Sequence, residues 1–340
     1  MVRVLGLTPI AAVTGEGSVN KTGSRFGVYG TDLGIVWESG PGEVLVAFGD
    51  SYGREWGGNG AGPAHADWRS NFVVRSTSTN LDQGLLLEPL ARRTDGTVAQ
   101  AIARDADTDR ENTVIPTSGI TIDNRHYLHY MSVHSWGEPG HWQTNYGGVA
   151  VSEDGGMSWH KPESARWPGR RRQFGRFNRP TAHPFQLGAF ARADSYVYLF
   201  GTPAGRFGSA SLARVEPEQI LDATRYRYWT GSDFAADDPF DAVPVLPGPV
   251  GELSVRYNPF LSCWLAMHLD ERRAAIVLRS APSLAGPWSA GAVVVDGAQY
   301  PGLYGGYLHP WTTADPAIYF TLSQWGPYNV SLMRAVVAPQ

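Results

Sequence analysis

Short apolar runs, broken by Gly, Pro and polar turn residues, recur along the whole chain without the three- to four-residue spacing of an amphipathic helix. The clearest pair is Thr31–Trp37 and Val44–Asp50, separated by Glu38-Ser39-Gly40-Pro41-Gly42-Glu43. Gly and Pro between two strand-like runs predict a β-hairpin. The same unit of inner strand, turn, second strand, loop and third strand returns five times. Second strands are expected at Val44–Phe48, Tyr127–Val133, Tyr196–Phe200, Cys263–Leu269 and Ile318–Leu322. Third strands are expected at Phe72–Ser76, Gly148–Ser152, Ala210–Val215, Ala275–Ser280 and Val330–Val336. Five such units predict an all-β fold, a five-bladed β-propeller. Either Val2–Leu7 or Pro9–Val13 is expected to add the outer strand of the last blade, closing the ring and removing a free sheet edge.

Residues 1–340 therefore read as one propeller domain, with insertions at about 77–113 and 160–182. Both insertions are candidate rim loops. The second carries Arg166, Arg170, Arg171, Arg172, Arg176 and Arg179, a solvated loop in preference to a polyanion site. Ser152-Glu153-Asp154-Gly155-Gly156-Met157-Ser158-Trp159 matches the Asp-box pattern of propeller hairpins, a turn device and not a catalytic one. Ala281–Trp288 takes the same place in the fourth unit.

Candidate chemistry gathers on the first hairpin. A turn centred on Pro41 sets Asp32 opposite Asp50 at the open end. Opposed Cβ atoms in a sheet lie about 4.5–5.5 Å apart. Carboxylates that close repel, and at least one pKa rises. Such a pair serves acid–base work on a glycosidic bond, or else forms two turn or capping aspartates. Asp32-Leu33-Gly34-Ile35-Val36-Trp37 aligns in phase with Glu252-Leu253-Ser254-Val255-Arg256-Tyr257. Innermost strands of a propeller start on one face, so Glu252 should look across the same depression, unless it is a solvated blade edge. Ser118 and the run from Tyr304 to His309 are expected to start inner strands of the second and fifth units. His309 is a proton-sharing partner or a structural histidine. Trp56, Trp136, Trp142 and Trp325 are candidate platforms for sugar rings, and Arg206 is a donor to hydroxyls or a rim ion pair.

Composition narrows the classes. Lys+Arg 28 against Asp+Glu 32 gives −4, no footprint for nucleic acid. No apolar run approaches the ~20 residues of a membrane span. Cys263 is the sole cysteine, so internal disulfides and cysteine metal clusters are excluded. Asp105-x-Asp107-x-Asp109 begins like a calcium loop, but Arg110 stands where Gly is needed and Pro116 where Glu belongs. There is neither a Gly-x-Ser-x-Gly elbow nor a His-Glu-x-x-His pair, and no cofactor or metal is called for. Met1–Leu7 is too short in its apolar part for a signal peptide. A signal already removed, or delivery by a phage or another external route, is the expectation for a protein that works outside the cell or at the wall.

These elements carry a resemblance. On Gly30-Thr31-Asp32-Leu33-Gly34, Phe48-Gly49-Asp50-Ser51-Tyr52-Gly53, Thr117-Ser118-Gly119-Ile120, the Asp-box, Gly251–Asn258 and Tyr304-Gly305-Gly306-Tyr307, the chain resembles the actinobacterial endo-D-arabinanases. That glycoside hydrolase family was formerly catalogued as a domain of unknown function. The resemblance implies a five-bladed propeller that cuts internal α-linked D-arabinofuranose bonds of cell-wall arabinogalactan and lipoarabinomannan. It further implies that Asp32 and Asp50 carry catalysis. The reading adopted is an endo-acting glycosidase working as a monomer on a polysaccharide. Asp32 is its nucleophile or base, Asp50 the proton-sharing partner or acid, and Glu252 the general acid or pKa tuner. The alternatives are a non-catalytic carbohydrate-binding propeller and a propeller hydrolase or lyase on another glycan.

Overall fold

The five repeats fold as five antiparallel sheets, which a computed structural model arranges as the blades of a β-propeller. Residues 2–105, 110–172, 180–311 and 315–339 are described, with the side chains of 170–172 and 180–181 left out. Asp107, Asp109, Arg176 and Arg179 thus lie outside the described residues. From axis to rim, the first blade comprises Gly30–Gly40, Glu43–Tyr52, Phe72–Ser76 and Glu88–Pro89. The second comprises Thr113–Ile122, Arg125–Trp136, Trp142–Ser152 and Arg166–Pro168. In the third, Leu187–Ala193, Tyr196–Thr202 and Ala210–Val215 are followed by two short strands, Arg227–Tyr228 and Pro244–Leu246. The fourth comprises Leu253–Asn258, Cys263–Asp270, Ala275–Ala281 and Ala292–Asp296. The fifth takes Leu303–Leu308, Ala317–Gln324 and Asn329–Pro339, and its outer strand is the N-terminal Val2–Ala12. One strand spans the first expected segment and all of the second except Val13. Each inner strand touches the inner strands of both neighbouring blades, which completes the circle.

The second strands are apolar on both faces because each blade is packed between two others. Alternate residues point to opposite faces. In the first blade, Leu45 and Ala47 join Ile35 and Trp37 in one core, while Val44, Val46 and Phe48 join Phe72 and Val74 in another. The Asp-box closes its turn as expected. Asp154 accepts from the Ser158 amide and from both the Ser152 and Ser158 hydroxyls, while Trp159 lies edge-on to Trp37 at 6.4 Å.

Inner strands are edge strands, and their outward backbone groups need partners. Hydroxyls of the adjoining blade supply them. Ser323 Oγ accepts from Leu33 N at 2.8 Å, Ser118 Oγ from Phe190 N at 2.9 Å, and Ser254 Oγ from Leu308 N at 3.0 Å. Thr117 Oγ1 accepts from Gly188 N, and Thr321 Oγ1 donates to Gly34 O.

The first insertion is less a rim loop than a wrap. Leu81, Leu85, Leu87, Val98 and Ile102 are buried, and Asn20 bonds both Val13 and Leu85 carbonyls, tying the wrap to the N-terminal segment. Its Arg93 pairs with Asp67 of the loop after the second strand, and its end carries Arg104 to the propeller face considered next. No helix among the described residues is long and apolar enough to cross a membrane.

Candidate active site

The first hairpin holds the expected register at its ends. Thr31 pairs Ser51, and Ile35–Glu38 pair Ala47–Val44. Between them the ladder is irregular: Leu33 pairs Phe48, not the residue after it. Gly49 and Asp50 together oppose Asp32, and Gly34 is then the extra residue on the other strand. Two opposed bulges cancel, so the register recovers. Leu33 (φ 71°) and Gly34 (φ 78°) both take left-handed backbone to make the second bulge. Asp32 and Asp50 are therefore not the direct ladder pair that the sequence predicts. Asp32 sits over the Gly49–Asp50 step instead, and a Cβ on Gly49 would collide with Asp32 Oδ1.

The two carboxyls have different surroundings. Asp32 Oδ2 accepts from the Tyr304 hydroxyl at 3.0 Å, whereas its Oδ1 is buried without a partner. Burial, with the Asp50 charge second, pushes the Asp32 pKa up to about 8 against the opposing hydroxyls of Tyr304 and Tyr328. Asp50 Oδ1 accepts from Thr113 Oγ1 at 2.7 Å and from Trp68 Nε1 at 2.9 Å. Burial raises Asp50 less, to about 6, because these donors and the Arg104 charge favour its anion. Arg104 lies 4.9 Å over the Trp68 ring.

Glu252, just before the inner strand of the fourth blade, is 7% exposed and comes to the same depression. Its Oε1 accepts from Arg206 Nε at 3.0 Å and Nη2 at 2.8 Å, while its buried Oε2 has no partner. Arg206 lies over Tyr304 at 5.0 Å and over Trp142 at 5.9 Å, joining Glu252 to the tyrosine that bonds Asp32. Of the two readings of Arg206, the ion pair is the one present. Tyr304, Tyr307 and Tyr328 are buried, and burial lifts each hydroxyl well above the usual phenol range, so all three remain donors. Beneath them a cavity of about 30 Å³, room for a water or two, is lined by Glu252, Tyr307, Thr117 and Thr202.

Loops joining second to third strands open on this face and supply aromatics on two sides. On one, Trp56 Nε1 donates to Gly60 O, Gly60 N to Gly326 O, and Trp325 stands edge-on to Tyr328, 52% exposed. On the other, Trp136 meets Trp142 at 5.7 Å and Phe207 stacks on His141 at 4.6 Å, with Arg206 N donating to Gly140 O between them. These platforms lie at the joints of the fifth and first blades and of the second and third, far apart around the ring.

Two expectations fail here. Ser118 does not start its strand; Thr113 does, and the Ser118 hydroxyl is held by Phe190 N. His309 follows its strand instead of leading it, at the far end of the channel from Tyr304. There it is buried against Trp311, and burial, then the Arg256 charge, lower its pKa to about 3. Thr113, Trp68, Arg104 and Tyr328 went unseen as site residues, and Tyr307 was reached only as part of the run from Tyr304 to His309. Thr113 was findable as the true start of an inner strand, and Tyr328 as part of a second-to-third-strand loop. Trp68 and Arg104 leave no such signal.

The model of a family described as a domain of unknown function, DUF4185, matches residues 17–334. The chain belongs to this family. It is 30% identical over 344 residues to notoamide biosynthesis cluster protein J of an Aspergillus species, covering 95% of this chain and 87% of that protein. A second relative, protein J' of Aspergillus versicolor, is 30% identical over 325 residues, 91% of this chain and 84% of that one. Among solved structures, a putative hydrolase from Bacteroides ovatus superposes with TM-score 0.62 at 12% identity, covering 92% of this chain and 87% of that one. A family 117 glycoside hydrolase from Zobellia galactanivorans gives 0.51 at 11% identity over 98% and 89%. A GH43_1 enzyme from Xanthomonas citri gives 0.52 at 13% identity over 92% and 88%. At such identities the likeness establishes the propeller fold.

Proposed function

We propose that this DUF4185 protein is a glycoside hydrolase that cuts within α-linked D-arabinofuranosyl polymers. The observation that carries the reading is the pair of aspartates brought together by the double bulge, one raised enough to stay protonated at neutral pH and the other raised less. Pairs with pKa values pushed apart divide acid and base roles between them. Propeller neighbours include glycoside hydrolases, and the resemblance of the Asp32 and Asp50 segments to endo-D-arabinanases supplies the substrate.

In this mechanism the protonated Asp32 gives its proton to the glycosidic oxygen as the bond to the anomeric carbon breaks. That is the reverse of the roles the sequence suggests. Asp50, with Oδ1 taken by Thr113 and Trp68, presents Oδ2 as the anion that attacks the anomeric carbon or takes a proton from water. Glu252, charge-paired with Arg206, faces the oxocarbenium-like centre and stabilises its positive charge. The separated aromatic platforms favour a chain lying across the face, with sugars bound on both sides of the scissile bond.

Purified mycobacterial-type arabinogalactan, incubated with the protein and with Asp32→Asn, tests the reading by chromatography of released oligosaccharides. A ladder of arabino-oligosaccharides from wild type, absent with the variant, is expected. No release from wild type overturns the arabinanase reading. The Aspergillus relatives, named for a notoamide biosynthesis cluster, favour a second reading in which the same carboxyls act on another substrate. A panel of other glycans and glycosylated metabolites distinguishes it.

A further inference from the structure

The third blade carries a cavity of about 190 Å³ at the opposite end of its strands from Arg206. Tyr196 opens the second strand there and Arg214 is the next-to-last residue of the third. Gln219, Arg225 and Arg227 come from the segment that follows, and Glu216 is exposed at the rim. Three arginines against one glutamate (3 − 1) leave the lining at +2.

Arg214 is the unusual member. Its guanidinium lies against two rings, 4.3 Å from the Tyr196 centroid and 4.5 Å from that of Phe234. Contact with two rings restrains the planar group while its N–H donors remain available to bond. Among the described residues, no acid lies within ion-pair distance of Arg214 and no side-chain hydrogen bond engages it. The Tyr196 hydroxyl and the Gln219 amide likewise lack partners there. Arg225 meets Asp222 at 3.7 Å and Arg227 meets Asp237 at 3.0 Å, both through exposed side chains. Exposed pairs are worth about 0–1 kcal/mol and yield readily to a better acceptor.

We propose that this cavity is a binding site for an oxyanion, the phosphate or carboxylate group of a small molecule. Arg214 supplies the forked donor for two anion oxygens, Arg225 and Arg227 flank it with charge, and Tyr196 and Gln219 add neutral donors. The volume admits the anion together with a body about the size of a sugar ring. Substrate cleavage at the opposite face is not required for this binding.

Calorimetric titration of the intact protein with inorganic phosphate and, separately, with glucuronate tests the site. One saturable site for either anion is expected, weakening as salt rises. Phosphate binding alone identifies a phosphoryl ligand, and glucuronate binding alone a carboxylate. Arg214→Gln is expected to weaken binding at least about tenfold. Arg227→Gln, outside the ring contacts, is expected to weaken it too and guards against misfolding of the first variant. No saturable binding of either anion up to about 10 mM, or undiminished binding by both variants, overturns the proposal. Either result leaves the arabinan assay at the other face untouched.

Discussion

At the scale of the residue, the feature that matters is unequal support of two carboxyls. Asp32 has one hydrogen-bonded oxygen and one orphaned one, whereas Asp50 has two donors on one oxygen and a nearby guanidinium. Asp32 thus holds its proton to about pH 8, and Asp50 gives its own up near pH 6. Because the two interact, these are properties of the pair. The rate of arabinan cleavage should be bell-shaped, rising through about pH 6 as the anion forms and falling through about pH 8 as the acid is lost, in initial rates across pH. A flat profile between pH 5 and 9 would count against this division of roles. Arg206→Gln removes the partner of a buried carboxylate. It should cost about 2–4 kcal/mol in transition-state stabilisation, measured as kcat/KM, with the fold retained by circular dichroism.

At the scale of the element, the strands were legible because apolar runs on both faces belong to blades packed between blades. All five second strands and all five third strands fall where the sequence set them. The double bulge was not legible. Nothing local distinguishes Gly34 as an inserted residue, since its hand is fixed by Thr321 and Val330 of the fifth blade packing against it. Hairpin arithmetic therefore brought Asp32 and Asp50 to the same end of the hairpin but with the wrong pairing. Ser118 was misread for a related reason. A polar residue on an inner strand looks like a ligand contact until the neighbouring edge strand is seen to need its oxygen. Ser118→Ala leaves the Phe190 N–H without its acceptor and should cost about 1–3 kcal/mol in denaturant unfolding. Gly49→Ala should abolish cleavage by pushing Asp32 out of place, even if the protein folds. An active, undisturbed Gly49→Ala enzyme would show that the close approach is dispensable.

At the scale of the whole molecule, the site's carboxyls oppose the fold's histidines. His129 and His309 are held near pH 3, and His183 and His268 near pH 4, chiefly by burial. Each binds a proton more readily unfolded, so this contribution raises stability with pH until about 7 to 7.5, where the unfolded imidazoles have mostly lost their protons. Asp32 and Asp50 act in the opposite direction, since a carboxyl whose folded pKa is raised binds its proton more tightly in the native state. Below about pH 6 the four histidines outnumber the two aspartates. From about pH 7 to 8 the proton that Asp32 retains outweighs the few that the unfolded imidazoles still bind, and stability falls there. Thermal unfolding should therefore show a maximum near pH 7 and a loss of about 0.5 kcal/mol by pH 8. Asp32→Asn, neutral at every pH, should flatten that decline and be more stable than wild type at pH 8 while losing activity. A variant that is both inactive and no more stable would mean that Asp32 is already ionised at neutral pH, and its role as the resting acid would pass to another carboxyl of the depression.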